Sequence, residues 1–173
     1  MNKLKKTFVF LFFIISSVCL SQTDTSKKEN TLQWYTDIMK AHEISLATNK
    51  PIFALFTGSD WCFWCKKLQA NVLSKPEFVE WAKKNVVLVE LDFPRGKALS
   101  PELVQQNNSL QQTFGVQGYP TIWMFSLNKD AATSKFNIDA LGSLGYPQNP
   151  EPGKEQIKFL NDANGLLAKK TVK

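Results

Sequence analysis

The segment Cys62-Phe63-Trp64-Cys65 is the part of this 173-residue chain best equipped for chemistry. Two cysteines three residues apart share one helix face, at a spacing a disulfide can bridge. A bridge closing so small a loop constrains the unfolded chain only modestly, so the pair points to reactivity rather than to stapling. A cysteine at a helix start faces unpaired backbone N–H groups and the positive end of the helix dipole, which favour its thiolate. Cys65, one turn further in, is expected to be more buried and less ionised. Such a pair can form a mixed disulfide with another protein and then release it. Trp61, Phe63 and Trp64 cluster around Cys62 and are candidates for substrate binding, as an apolar platform. Trp61 taken alone reads as core packing.

The elements that must position these cysteines follow from periodicity. Residues 32–48 have apolar side chains at broadly helical spacing, ended by Asn49-Lys50-Pro51. Residues 52–56 read as a buried strand, 57–60 as a loop, and the residues from Cys62 onward as a helix. Ser74 and Glu77 fit a capping box that restarts a helix carrying Phe78, Val79 and Trp81 on its apolar side. A second buried strand is expected over 86–92, a loop over 93–99, a polar helix over 101–114, and a third strand over 121–125 that turns at 128–130. Residues 136–141 fit an antiparallel edge strand. A proline-containing loop and a helix over about 154–169 complete one α/β domain.

The N-terminus sets a boundary on that domain. Lys3, Lys5 and Lys6 precede an almost wholly apolar run over residues 8–20, and 13 residues are too few to span a membrane, which takes about 20. A basic start, a short apolar run and small residues behind it describe a secretory signal peptide over 1–21, with Gln22 as the first mature residue. Residues 22–30 then form a polar segment and 31–173 the domain. Loss of those three lysines lowers the net charge from +6 to +3. A mildly basic surface of mixed sign gives no support for nucleic-acid binding. Of the three cysteines, Cys19 falls in the segment to be removed. Lipidation of Cys19 is the alternative, disfavoured because Val18 stands where such signals carry a small residue. An exported protein lives where disulfides persist.

Trp61-Cys62-Phe63-Trp64-Cys65-Lys66 after a strand, with Gly118-Tyr119-Pro120-Thr121 some 55 residues on, resembles the thioredoxin-like superfamily. Residues 56–62 and Leu91-Asp92-Phe93-Pro94 are similar to an exported bacterial subgroup with a CxxC site, related to thioredoxin and protein disulfide isomerase domains. The match covers about residues 31–127 well and the remainder loosely. The resemblance implies a thioredoxin fold, a central mixed sheet flanked by helices, here with an extra N-terminal helix. It also implies that Pro120 is a cis-proline beside the cysteines and that the Tyr119 backbone offers strand-like hydrogen bonds to a bound peptide. Thioredoxins resemble one another in a Gly-Pro dipeptide between the cysteines, replaced here by Phe63-Trp64, so the direction of reaction does not carry over. The resemblance further implies a buried acid on the strand before the site, and Phe53-Ala54-Leu55-Phe56 has none. Glu90, on the adjacent strand, is a candidate for that proton-transfer role; a plain solvent-facing strand residue is the alternative.

The remaining chemistry is quickly bounded. His42, the single histidine, has no zinc-type partners at suitable spacing and reads as a surface or half-buried helix residue. Haem attachment needs histidine after the second cysteine, where Lys66 stands. Lys66 and Lys67 read as solvated helix residues, and Asp60 is expected to point away from Cys62 or to cap. The function expected is thiol–disulfide exchange on protein disulfides by a periplasmic or secreted monomer, with catalytic Cys62 and Cys65. It needs no cofactor or metal and no membrane span, and a separate redox partner resets the pair. The competing reading is a peptide-binding or holdase module with a structural disulfide.

Overall fold

The structure, a computed structural model, describes residues 31–130 and 135–172. The expected signal peptide, the polar segment 22–30 and Cys19 lie outside the described residues. Strand β2 (Ile52–Thr57) is buried along its whole length because it lies at the middle of a five-stranded sheet. β3 (Val87–Asp92) runs parallel to it on one side, and β4 (Thr121–Lys129) antiparallel on the other. The short β1 (Trp34–Tyr35) extends the sheet parallel to β3, and β5 (Phe136–Leu144) extends it antiparallel to β4, giving the order β1-β3-β2-β4-β5.

The period-two geometry of β2 divides the core. Phe53 and Leu55 join the cluster that contains Leu68, Val72, Phe78, Trp81 and Phe159. These come from α2 (Phe63–Leu68), the π-helical turn Gln69–Leu73, α3 (Pro76–Asn85) and α5 (Glu155–Ala168). Ile52, Ala54 and Phe56 point the other way, to Ile38 and Ala41 of α1 (Ile38–Thr48), with Leu110 of α4 (Pro101–Thr113) packed alongside. Helices on both faces explain why β2 reads as an unbroken apolar run.

Three elements differ from the sequence expectation. The helix expected over 32–48 begins only at Ile38, because the Asp37 carboxylate caps the Met39 and Lys40 amides while Trp34 and Tyr35 pair with Leu88 and Val89. The capping box at Ser74 does not form. Pro76 at the start of α3 keeps Lys75 extended as the N-cap, and the Ser74 hydroxyl instead donates to the Gln69 carbonyl, closing the π turn. The β4–β5 pair is longer than expected, running to Lys129 and to Leu144, with a register shift between Met124 and Phe125.

Opposite that shift, Gly142 has φ 144° and lies so close to α5 that an added Cβ would sit 2.7 Å from Leu166 Cδ2. The backbone conformation demands glycine there, and an added methyl would also push the Leu166 side chain aside. Gly142→Ala is therefore expected to destabilise the fold by about 1–3 kcal/mol. Urea unfolding should show this as a lower midpoint at unchanged slope.

Candidate active site

The chain leaves β2 at Thr57 and turns through Gly58 to Trp61, with the Cys62 amide donating to the Gly58 carbonyl at 2.8 Å. Cys62 is the N-cap of α2. Its backbone is extended, and its Sγ accepts from the Cys65 amide at 3.1 Å. The two sulfurs form a disulfide, with the Cα atoms 5.2 Å apart. Cys62 and Cys65 are both 6% exposed. The expected contrast in their burial is therefore absent, since Cys62 Sγ turns inward to the Cys65 amide and sulfur. Phe63 and Trp64, at 63% and 50% exposed, stand out beside the pair as one aromatic ledge, their rings 5.6 Å apart.

Trp61 has a third place, neither core nor ledge. Its indole lies over Gly58, where an added Cβ would fall 2.4 Å from Trp61 Cε2, and its Nε1 donates to the Phe93 carbonyl at 2.8 Å. Its ring meets Tyr119 edge-on at 5.9 Å, and Tyr119 in turn stacks on Phe93 at 5.1 Å. One side chain thus joins the site loop, the loop after β3 and the loop before β4.

Two carboxylates hold the first two of these loops in opposite senses. Asp92, at the end of β3, accepts from the Ser59 amide at 2.8 Å, the Ser59 hydroxyl at 2.7 Å and Lys97 Nζ at 2.9 Å. Asp60 reaches back and accepts from the amides of Arg95 at 3.0 Å and Gly96 at 2.5 Å. Asp60 therefore points away from Cys62, as its role in capping the second loop requires. The Gly96 amide above all holds its carboxyl below the usual carboxylate range. Burial pushes the Asp92 carboxyl up, but the Ser59 donors and Lys97 outweigh this and hold it below the ordinary value. Lys66 Nζ donates to the Asp60 carbonyl at 2.7 Å, and Lys67 Nζ lies 5.1 Å over both the Phe63 and Trp64 rings.

Glu90 stands opposite Leu55 in the sheet register. It lines a cavity of about 490 Å³ together with Cys65, Thr57, Ser59 and Gln69. Burial raises its pKa above the ordinary value and the Asp92 charge raises it further, against a smaller opposing effect of Lys97. The peptide bond before Pro120 is cis. Tyr119 and Pro120 form one wall of a groove of about 630 Å³ that Trp64 and Tyr146 also line. The Tyr119 hydroxyl accepts from Gln111 Nε2 at 2.9 Å, so its side chain is turned toward α4. Tyr146 was not singled out from the sequence, where it sits in a proline-rich loop with no periodic signal. Its ring lies 5.2 Å from Trp64 and its hydroxyl accepts from Asn71 Nδ2 at 2.9 Å. His42 is more buried than expected, edge-on to Phe136 at 5.3 Å in α1, and does not enter this site. Among the described residues no cluster of side chains suits a metal ion.

Two stability tests with opposite signs follow. The depressed Asp92 pKa contributes stability that is present above the ordinary carboxylate pKa and lost as pH falls through the native value. Asp92→Asn should cost about 1–3 kcal/mol at neutral pH, with the gap to wild type closing in acid. Glu90 is the reverse: its raised native pKa removes stability as pH rises from the ordinary carboxylate value, about 4.3, through the native one. Glu90→Gln should therefore be more stable than wild type at neutral pH and converge with it below about pH 4. Urea titrations of each variant at several pH values would check both signs.

Residues 38–132 match the family model described as thioredoxin-like domain. Disulfide bond reductase DsbH of Chlamydia pneumoniae is 40% identical over 91 residues, covering 53% of this chain and 54% of that protein. Thioredoxin-related protein DsbJ of the same organism is 26% identical over 142 residues, covering 82% of this chain and 39% of that protein. The chain thus spans about half, or less, of the length of these curated relatives. Among solved structures, DsbH oxidoreductase aligns with TM-score 0.64 at 30% identity, over 80% of this chain and 85% of that one. A Thermus thermophilus thioredoxin aligns with TM-score 0.54 at 18% identity, over 80% and 88% of the two chains, which shows a common fold. With the five-stranded mixed sheet and the cysteine pair at the start of α2, these likenesses place the chain in the thioredoxin-like family.

Proposed function

We propose that this chain is a thiol–disulfide oxidoreductase that reduces disulfides of protein substrates outside the cytoplasm. The observation that carries the reading is the disulfide at the N-cap of α2, with Cys62 Sγ 3.1 Å from the Cys65 amide, beside an exposed aromatic ledge and a groove. In the reduced protein, the amide that caps Cys62 stabilises its thiolate. That thiolate attacks a substrate disulfide, forming a mixed disulfide and expelling one substrate thiolate. Cys65 loses its proton and attacks Cys62 Sγ, which closes the Cys62–Cys65 bond and releases the second substrate thiolate. The substrate disulfide gains two electrons, the protein dithiol loses two, and the protons end on the substrate thiols. A partner dithiol then reduces the pair again.

Glu90 is the base for the second attack, through the cavity it shares with Cys65. Its raised pKa brings it nearer to that of a thiol, which suits it for taking that proton. The substrate chain lies in the groove between Trp64, Tyr146 and the cis-proline loop. There the Tyr119 backbone offers strand-like hydrogen bonds, while Trp61, Phe63 and Pro120 border the approach to Cys62. Reduction is favoured over oxidation because the acid beneath Cys65 opposes an over-stabilised thiolate form, the property that makes an oxidant. The name of the DsbH relative points the same way. The basic and apolar N-terminal pattern of residues 1–21 supports export. No helix among the described residues is long and apolar enough to cross a membrane.

Equilibration in thiol buffers, read by the fluorescence of Trp61 and Trp64, should give a reduction potential nearer to roughly −270 mV than to roughly −120 mV. A pair that stays oxidised below about −300 mV would be a structural bridge and would overturn the enzyme reading. Cys65→Ser should trap substrates as mixed disulfides on Cys62. Recovery of no covalent adduct would favour a peptide-binding module instead. Glu90→Gln should slow resolution of the mixed disulfide roughly tenfold or more, leaving the first attack near the wild-type rate.

A further inference from the structure

Arg95 is fixed against the site loop by the two residues that precede Cys62. The Asp60 carboxylate accepts from the Arg95 and Gly96 amides, which sets the backbone. The Trp61 ring sets the side chain, with the guanidinium carbon 3.9 Å from the ring centroid. Stacking uses the flat face of a guanidinium and leaves its N–H edges directed outward. Arg95 is exposed, and among the described residues no carboxylate pairs with it. The two acids nearest in the loops are committed elsewhere, Asp60 to the loop amides and Asp92 to Ser59 and Lys97. Lys97, the other cation of this loop, is held by Asp92. The groove formed by Trp64, Tyr119, Pro120 and Tyr146 carries no charge. The two sides of the site loop are thus unequal: an uncharged groove beyond Trp64, and over Trp61 an oriented fork of donors with no carboxylate partner among the described residues.

We propose that Arg95 is a specificity-determining residue that binds a carboxylate side chain of the substrate near its disulfide cysteine. This rests on the oxidoreductase reading and adds a substrate class to it: protein segments whose reducible cysteine has an aspartate or glutamate close by. A planar guanidinium donates two parallel hydrogen bonds to a carboxylate. Because Asp60 and Trp61 already order the residue, little side-chain entropy is lost on binding.

The test uses the pre-reduced protein in single turnovers, so that no recycling partner is needed. Three disulfide-bridged peptides are compared, identical except for Glu, Gln or Lys two residues from the cysteine. Wild type should reduce the Glu peptide about three- to tenfold more efficiently than the Gln peptide, and the Lys peptide least well. Arg95→Gln should bring the three efficiencies together through apparent binding rather than through the maximal rate. Arg95→Lys should keep part of the preference, having charge without the fork. Lys67→Gln, which removes an equal charge from over Phe63 and Trp64, should keep all of it. The wild-type preference should also shrink between about 0.05 M and about 0.5 M salt, a readout independent of whether any variant folds. Equal efficiencies in wild type, a preference that survives Arg95→Gln, or a loss that Arg95→Gln imposes equally on all three peptides would overturn the proposal. Failure of wild type to reduce any of the three would instead overturn the oxidoreductase reading, and this proposal with it.

Discussion

Everything at this site depends on keeping one sulfur at the end of a helix, and that end is anchored by an exchange of carboxylates between two loops. Asp92 reaches from the end of β3 to the amide and hydroxyl of Ser59, while Asp60 reaches from the site loop to the amides of Arg95 and Gly96. Each acid accepts from donors of the facing loop, so both charges are taken up within the loop pair. The pairing is possible because Thr57 and Asp92 stand opposite each other in the parallel β2–β3 register, so both loops leave the sheet at the same level. Trp61 then closes the arrangement from above, its indole over Gly58 and its N–H on the Phe93 carbonyl.

The two sides of the cysteine helix have different chemical environments. Beneath it, Glu90 and Cys65 share a cavity, and burial raises the pKa of that acid above its ordinary value. Beyond Trp64 lies an uncharged groove with a cis-proline wall. The cavity that Glu90 lines with Cys65 and the uncharged groove beside Trp64 are therefore separate spaces on either side of one short helix. This separation comes from strand order: Glu90 is on β3, at one edge of β2, whereas Tyr119 and Pro120 lead into β4 at the other edge.

Much of this was legible in the sequence, and for identifiable reasons. The unbroken apolar run 52–56 fits a buried strand, and the residues from Cys62 onward favour a helix directly after its loop, as the structure has them. The spacing to Tyr119-Pro120 located the facing loop, through family resemblance rather than through any local rule. Features that depend on contacts distant in sequence stayed hidden. Tyr146 reaches Trp64 across 82 positions and Arg95 reaches Trp61 across 34, and neither belongs to a periodic pattern. Short β1 is hidden in the sequence because Leu32, Tyr35 and Ile38 also satisfy a helical period, and only the Asp37 cap decides where the helix begins. Ser74 misled because a capping signal competes with Pro76, whose fixed geometry decides the start of α3.

The loop that follows β5 supplies Tyr146 and so half of the groove wall, yet it contributes no strand to the sheet and no bond to either cysteine. Its attachment runs mainly through Tyr146, which meets the Trp64 ring, accepts a hydrogen bond from Asn71 and packs against the core. A segment so placed can change in length or composition while the electronics of the sulfur pair stay as they are. The shape of the groove and the surroundings of the sulfur pair are in that sense separately adjustable in this molecule, one carried by the loop after β5 and the other by the framework beneath it.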